Sequence, residues 1–218
     1  MKFDAVIWDM DGLLLDTERL AHESWQQASR ELETGIEDAL FLQIIGMNVE
    51  SFHRWLDERL GDNVDVDRLV QRANDIYHAK IEKGPPLKAG AQSCVEWLAT
   101  QGVAQAVATS SDQELARRKL GHHGLLRHFH EIVSGDQVTH GKPHPEIFLK
   151  AAQSLRKPAD RCLVFEDSRL GVISAAAAGA TVILVPDIAL HDAESRQLAF
   201  EIWESLEEGL DRFGDWFG

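Results

Sequence analysis

Two carboxylates, Asp9 and Asp11, flank Met10 and precede Gly12 at the end of the apolar run Phe3 to Trp8. Side chains alternate faces along an extended strand, so the two acids point the same way while Met10 turns to the packed side. Carboxylates a few ångströms apart repel. They coexist with a cation between them or by sharing a proton, and either condition separates their roles, as acid-base work requires. Helix capping is the other reading, because Asp is favoured at helix starts, and so short a motif does not choose between the two. Three more polar groups close apolar runs or follow them: Thr109-Ser110-Ser111, Gly141-Lys142-Pro143 and Glu166-Asp167-Ser168. Ser111 with Glu114 makes a capping-box pattern, yet a helix N-terminus also offers unpaired amides to an anion. Lys142 taken singly is a surface lysine. Glu166 and Asp167 are different, because they emerge from the buried run Cys162 to Phe165, where two acids without a cation are costly. The assembly reads as a hard-metal and phosphate site. Asp9, Asp11, Glu166 and Asp167 suit Mg²⁺, the hydroxyls and amides suit phosphoryl oxygens, and Lys142 neutralises charge.

These residues need a scaffold that gathers them. Five short apolar runs bounded by turn residues read as buried strands: Ala5 to Trp8, Val103 to Ala108, Glu131 to Ser134, Leu163 to Phe165 and Thr181 to Val185. Helical patterns alternate with them. Ala91, Cys94, Val95 and Leu98 share one face, Pro145 suits a first helical turn ahead of Ile147 and Phe148, and the Ala175 to Ala178 run stops at Gly179. Strands alternating with helices imply an α/β fold with a parallel, doubly wound sheet, in which ligands bind beyond the carboxyl ends of the strands. The candidate residues sit at or just beyond four such ends.

One interval breaks the alternation. Residues 17–84 are too many for an ordinary crossover and predict a folded helical cap inserted after the first strand, leaving 1–16 and 85–218 as the catalytic core. Its stripes are Ala21, Trp25, Ala28 and Leu32; then Val49, Phe52, Leu56 and Leu60; then Val66, Leu69, Val70, Ala73, Ile76 and Tyr77. The run Ala39 to Ile45 predicts a further helix, and Gly84-Pro85-Pro86 ends the insert with a stiff junction. From Glu194 onward the pattern predicts an acidic amphipathic helix packing Leu198, Ile202 and Leu206.

Composition narrows the partners. The chain has 218 residues, 44% of them hydrophobic, enough for a full core. Lysine and arginine total 22 against 36 acids, a net charge of 22 − 36 = −14, which argues against nucleic acid or an anionic membrane surface as partner. No stretch approaches the ~18 apolar residues of a membrane span, and the N-terminus lacks the pattern of a secretory signal, so cytoplasm is the expected compartment. Cys94 and Cys162 lack Cys-x-x-Cys spacing, and His122, His123, His128 and His130 match no zinc pattern, so solvated histidines are expected there. A monomer acting on a small phosphorylated metabolite is the expectation.

With WDMDGLLLDT, VATSS, GKPHPEIF and LVFEDSRLGVISAAAAGA in this order, the chain resembles the haloacid dehalogenase superfamily of phosphohydrolases. The resemblance spans residues 8 to 180, implies a Rossmann-like core with the family's smaller cap, and is closest to its sugar-phosphatase and β-phosphoglucomutase-like branch. It implies that Asp9 is a nucleophile forming an aspartyl-phosphate and that Asp11 protonates the leaving alcohol, then deprotonates the attacking water. It implies that Thr109, Ser110 and Lys142 hold the phosphoryl group, with amides following Asp9 and Thr109. Mg²⁺ would be held by the Asp9 carboxylate, the Asp11 main-chain carbonyl and Asp167, with Glu166 acting through a water. An acid at position 11 sets the chain apart from the dehalogenase branch.

Two other functions share these residue types. A phosphohexomutase would use the same intermediate, but where the compared mutases carry a cap histidine and a cap-loop arginine this chain has Ala21, beside His22, and Val49 after Gly46. Hydrolysis is therefore favoured. A phospho-accepting signalling module also places acids, a hydroxyl and a lysine at strand ends, but needs neither the insert nor Asp11 as a proton shuttle. His22, Asn48 and Lys80 are candidate substrate contacts, with solvent-facing roles as the alternative for each.

Overall fold

The computed structural model describes residues 2–35, 64–188 and 192–218. The chain divides into two compact units, Met1–Asp16 with Pro86–Gly218, and Thr17–Pro85. In the first, strands β1 (Ala5–Trp8), β2 (Ala104–Ala108), β3 (Glu131–Val133), β4 (Cys162–Glu166), β5 (Thr181–Leu184) and β6 (Glu201–Ile202) form one parallel sheet in the order β3-β2-β1-β4-β5-β6. The chain runs outward from β1 to β3 and returns to β4 on the other side of β1. This leaves the winding reversal, and the ligand crevice it creates, between β1 and β4.

β1 is buried along its whole length because both faces of the sheet are covered. Val6 and Trp8 enter a core layer with Cys94, Val95 and Leu98 of the helix Ala91–Thr100 and with Phe213, Trp216 and Phe217 of the helix Gly209–Phe217. Ala5 and Ile7 face the opposite layer, with Ile147, Phe148 and Ala151 of the helix Glu146–Ser154 and Val172 and Ala175 of the helix Arg169–Ala177. Trp8 stacks on Phe165 at 4.6 Å between centroids, and its indole N–H donates to the buried Gln105 Oε1 at 2.9 Å. That amide in turn donates to Val95 O at 3.0 Å, so the polar groups in this layer are matched.

The strand register positions the candidate residues. Trp8 is level with Val107 of β2 and with Phe165 of β4, so the next residue, Asp9, leaves the sheet level with Ala108 and Glu166. The main chain continues this pairing for one step, with Asp9 N donating to Phe165 O at 2.9 Å and Thr109 N to Val133 O at 3.0 Å.

Two sequence expectations are corrected. The segment from Glu194 is not one helix. It divides into the helix Ala193–Leu198, strand β6, a turn of 3₁₀ helix at Leu206–Glu208 and the helix Gly209–Phe217. Of its supposed stripe only Leu206 is buried, while Leu198 and Ile202 are exposed. Local periodicity loses here to edge pairing, in which Glu201 and Ile202 extend the sheet beside Ile183 and Leu184. Second, Ser111 does not cap the helix Gln113–Gly121. Asp112 does, accepting from Leu115 N at 2.9 Å, and this releases the Ser111 hydroxyl for other work.

In the second unit the helices Thr17–Glu31 and Val66–Ile81 bury Ala28, Leu69, Ala73 and Ile76 against the partly buried Trp25 and Leu32, as their stripes imply. Lys80 pairs with Glu23 at 3.0 Å, and a His22 ring nitrogen lies 3.3 Å from the Gln26 amide. The expected helix at Ala39 to Ile45, the stripe Val49, Phe52, Leu56 and Leu60, and the residues Gly46 and Asn48 lie outside the described residues. Cys94 and Cys162 are free and buried, and burial pushes their thiols up to about 12 and about 11, so neither is a nucleophile.

Candidate active site

Beyond the carboxyl ends of β1, β2 and β4, Lys142 lies between two carboxylates. Its Nζ donates to Asp9 Oδ1 at 2.5 Å, to Glu166 Oε1 at 2.6 Å and to Ala108 O at 3.2 Å. Asp9, Glu166 and Asp167 are all buried, and an oxygen from each lies within 4.8 Å of the others. Asp9 and Glu166 thus share the Lys142 ammonium, and each raises the cost of ionising the other. The consequence falls on Asp9. Burial pushes its carboxyl up from the ordinary 3.8 to about 8, against the pull of Lys142 and with the help of Glu166 and Asp11. Burial also pulls on Lys142, but the Asp9 and Glu166 charges outweigh it and hold the ammonium protonated.

An all-oxygen, anionic and buried donor set is the chemistry that a hard divalent cation takes, and Asp9, Glu166 and Asp167 fit Mg²⁺ on that ground. The backbone makes room for the set. A Cβ on Gly171 would sit 1.6 Å from Glu166 Oε1, so only glycine lets this carboxylate lie against the first turn of its helix. There Glu166 Oε2 accepts from Ser168 N at 2.7 Å and from Ser168 Oγ at 2.9 Å, while that hydroxyl accepts from Gly171 N at 3.1 Å.

Asp11 faces elsewhere. Its Oδ1 accepts from Lys119 Nζ at 2.7 Å, and its Oδ2 accepts from Ser111 Oγ at 2.7 Å and, at a longer 3.4 Å, from Thr109 Oγ1. Thr109 Oγ1 also accepts from Ser111 N at 3.1 Å. Ser110 is exposed, and its main chain packs so tightly on Gly135 that a Cβ there would meet Ser110 O at 2.4 Å. The fold thus gathers Asp9, Lys142, Glu166 and Asp167 into one cluster. It joins Asp11 and Thr109 in a second, adjoining one, and leaves the Ser110 side chain towards solvent.

A sequence model of the haloacid dehalogenase-like hydrolases matches residues 6–185, a span that contains both clusters. The chain belongs to this family. It is 31% identical over 180 residues to the phosphorylated carbohydrates phosphatase of Thermotoga maritima, covering 81% of this chain and 82% of that one. It is 27% identical to the fructose-1-phosphate phosphatase of Escherichia coli, covering 82% and 94%. Among solved structures, a haloacid dehalogenase family hydrolase from Deinococcus radiodurans with bound phosphate and sodium superimposes with a TM-score of 0.85. It shares 26% identity over 98% of this chain and 96% of that one.

Sequence reasoning about the haloacid dehalogenase motifs missed Lys119. Inside Arg117-Arg118-Lys119 it reads as part of a solvated basic face, yet it is only 2% exposed. Helical spacing is the signal that finds it, since Lys119 shares a stripe with the buried Ala116 and Leu120. A lysine buried there holds its charge by pairing, and its partner is the Asp11 carboxylate. Lys119→Met is expected to lower kcat about 10- to 100-fold by letting Asp11 lose its orientation, with Lys119→Arg recovering part of the rate. Steady-state kinetics on the two variants check this. The loss should be greatest for alkyl phosphates, whose leaving oxygen most needs a proton.

Proposed function

We propose that this haloacid dehalogenase-like hydrolase is a Mg²⁺-dependent phosphatase of small phosphorylated carbohydrates that works through an aspartyl-phosphate on Asp9. The observation that carries the reading is the cluster of Asp9, Glu166 and Asp167 beyond the ends of neighbouring strands, with the Lys142 ammonium paired to the first two. The named activities of the Thermotoga and Escherichia relatives support the substrate class.

In the proposed sequence the Asp9 carboxylate attacks phosphorus. A P–O bond forms to Asp9 as the ester P–O bond breaks, and Asp11, which first takes up a proton from solvent against the pull of Lys119, gives that proton to the leaving alkoxide. Asp11 then takes a proton from a water whose oxygen attacks the same phosphorus, breaking the bond to Asp9 and releasing inorganic phosphate. Lys142 offsets charge on the nucleophile and on the phosphoryl oxygens, and the Thr109 hydroxyl with the amides after Thr109 and Asp9 orients those oxygens. A cation held by the Asp9 and Asp167 carboxylates and the Asp11 main-chain carbonyl, with Glu166 acting through a water, would supply further charge neutralisation. Spontaneous hydrolysis of phosphate monoesters is among the slowest known, with enzymatic accelerations up to ~10²¹, so several charge-stabilising groups acting together are expected.

The direct test is phosphate release from sugar phosphates, phosphoglycolate and nucleotides, with Mg²⁺ and after chelation. Metal-dependent release from one or more sugar phosphates is expected, and isomerisation of a hexose phosphate without release would favour the mutase. Absence of release from all of them in the presence of Mg²⁺ overturns the proposal. The position of Asp9 adds a pH prediction. Because its carboxyl is raised to about 8 in the metal-free protein, Mg²⁺ binding at pH 7 must displace a proton, while above about pH 9 it displaces none. Apparent Mg²⁺ affinity should therefore weaken as pH falls below 8. By the same linkage, the metal-free protein should lose stability as pH rises from about 4 to about 8, since the folded state binds that proton more tightly than the unfolded chain. Proton release on titration with Mg²⁺ in weak buffer, and thermal melts across that range, measure both.

A further inference from the structure

A second group of metal-binding atoms converges on the segment that carries Lys142, and it differs in chemistry from the acidic cluster. His140, His144 and Glu146 each offer one donor atom, all within 4.8 Å of one another. We infer that these three side chains form a binding site for a borderline transition cation of the Zn²⁺ class, separate from the hard-cation site at Asp9.

The two imidazole rings lie side by side with centroids 4.6 Å apart, and their Nδ1 atoms are 3.1 Å (His140) and 4.0 Å (His144) from the same oxygen, Glu146 Oε2. Donors bound at about 2.0–2.2 Å in a tetrahedral shell stand roughly 3.3 Å apart, and the three donors here, all within 4.8 Å of one another, are close to that spacing. Two imidazoles and a carboxylate are an established zinc donor set, and imidazole nitrogen favours Zn²⁺, Ni²⁺ or Cu²⁺ over Mg²⁺.

The carboxylate is already fixed. Glu146 Oε1 accepts from Thr139 N at 2.8 Å and Oε2 from His140 N at 3.0 Å, and these amides, Thr139 first, hold the group below its ordinary range and so ionised. Such outer hydrogen bonds commonly orient a metal-ligating carboxylate. They also brace the loop, and bracing by itself accounts for Glu146. Both imidazoles reach the same carboxylate from the solvent side, with side chains 62% and 51% exposed, His140 Nδ1 at hydrogen-bond distance from Oε2 and His144 Nδ1 beyond it. His144 Nδ1 accepts from Glu146 N at 3.2 Å, a bond that ligation through Nδ1 would replace. The histidines that the sequence first draws attention to, His122, His123, His128 and His130, form no such group among the described residues.

Three protein ligands in an exposed loop leave a coordination position for water, so the site is not a buried structural one. Its spacing, His-x₃-His-x-Glu, is contained in seven consecutive residues.

The test is Zn²⁺ binding to the full chain in competition with a chromogenic chelator, with Mg²⁺ saturating to occupy the acidic site. One equivalent per chain is expected, weakened at least about 10-fold in His140→Ala and in His144→Ala and unchanged in a His122→Ala/His123→Ala control. Co²⁺ under the same conditions should give visible d–d absorption that the first two variants lose. Circular dichroism shows that the variants fold. Glu146→Gln, which removes the charge and keeps the shape, should also weaken binding. Failure to retain Zn²⁺ in the presence of Mg²⁺, or equal affinity in the His140 and His144 variants and the parent, overturns the inference. Neither result depends on phosphatase activity, so the site and the proposed function fail independently.

Discussion

Asp9→Asn is expected to abolish turnover, by at least about 10⁴-fold in kcat, while the protein stays folded. The amide is almost isosteric and keeps an oxygen for Lys142, which now donates to Asp9 Oδ1 at 2.5 Å. What it lacks is an anionic oxygen able to form an ester with phosphorus. The energetic sign is unusual for a change at a buried polar residue. Asp9 shares the Lys142 ammonium with Glu166, and burial already drives its carboxyl up to about 8. With the carboxyl raised that far, Asp9 is mostly protonated at neutral pH in the metal-free protein and the amide mimics that neutral form, so the metal-free variant should melt no lower than the parent, while its Mg²⁺ affinity should fall for want of the anionic oxygen. Initial rates on a turned-over sugar phosphate and thermal melts with and without Mg²⁺ measure the two halves. Activity within tenfold of the parent would remove Asp9 from the mechanism.

Gly171→Ala should have the second-largest effect, although it adds one methyl group and, on helix propensity alone, would stabilise by about 1 kcal/mol. Steric exclusion decides the sign. The new Cβ would meet Glu166 Oε1 at 1.6 Å and Glu166 Cδ at 1.9 Å, distances near covalent bonds that a small shift does not relieve. Glu166 must then leave its place, losing Ser168 N, Ser168 Oγ and Lys142 as partners while its charge stays inside the protein. Overpacking costs about 1–3 kcal/mol and unpairing a buried ion about 3–5 kcal/mol, so the melting temperature should drop by several degrees. The Mg²⁺ concentration for half-maximal rate should rise about 10- to 100-fold, since the displaced carboxylate belongs to the proposed cation set. Rates measured against Mg²⁺ concentration check this, and an unchanged Mg²⁺ requirement would place the cation away from Glu166.

The strands were legible because their signals are local. Ala5 to Trp8 is an apolar run closed by acids, and Thr181 to Leu184 lies between Gly179-Ala180 and Pro186; buried parallel strands need little more. The helix Ala91–Thr100 was equally legible, with Ala91, Cys94, Val95 and Leu98 all buried on the face their spacing implied. The C-terminal segment was misread because β6 is two residues long and is defined by its neighbour β5 rather than by its own pattern. Ser111 was misassigned for a related reason. Its spacing from Glu114 fits a capping box, but Asp112 competes for the same helix end and wins, leaving the hydroxyl to Asp11.

The amino-acid order by itself determined which chemistry is available here: acids, a hydroxyl, a lysine and a further acid pair, at or just past the ends of apolar runs. Only the tertiary structure decided how they group. Register across β2, β1 and β4 aligns Asp9 with Glu166, the loop after β3 returns Lys142 between them, and Lys119 takes Asp11. The reason is physical. Backbone propensity acts over a few residues, whereas charge pairing in a buried crevice depends on groups 24 to 133 positions apart, whose distances are set by strand register and core packing.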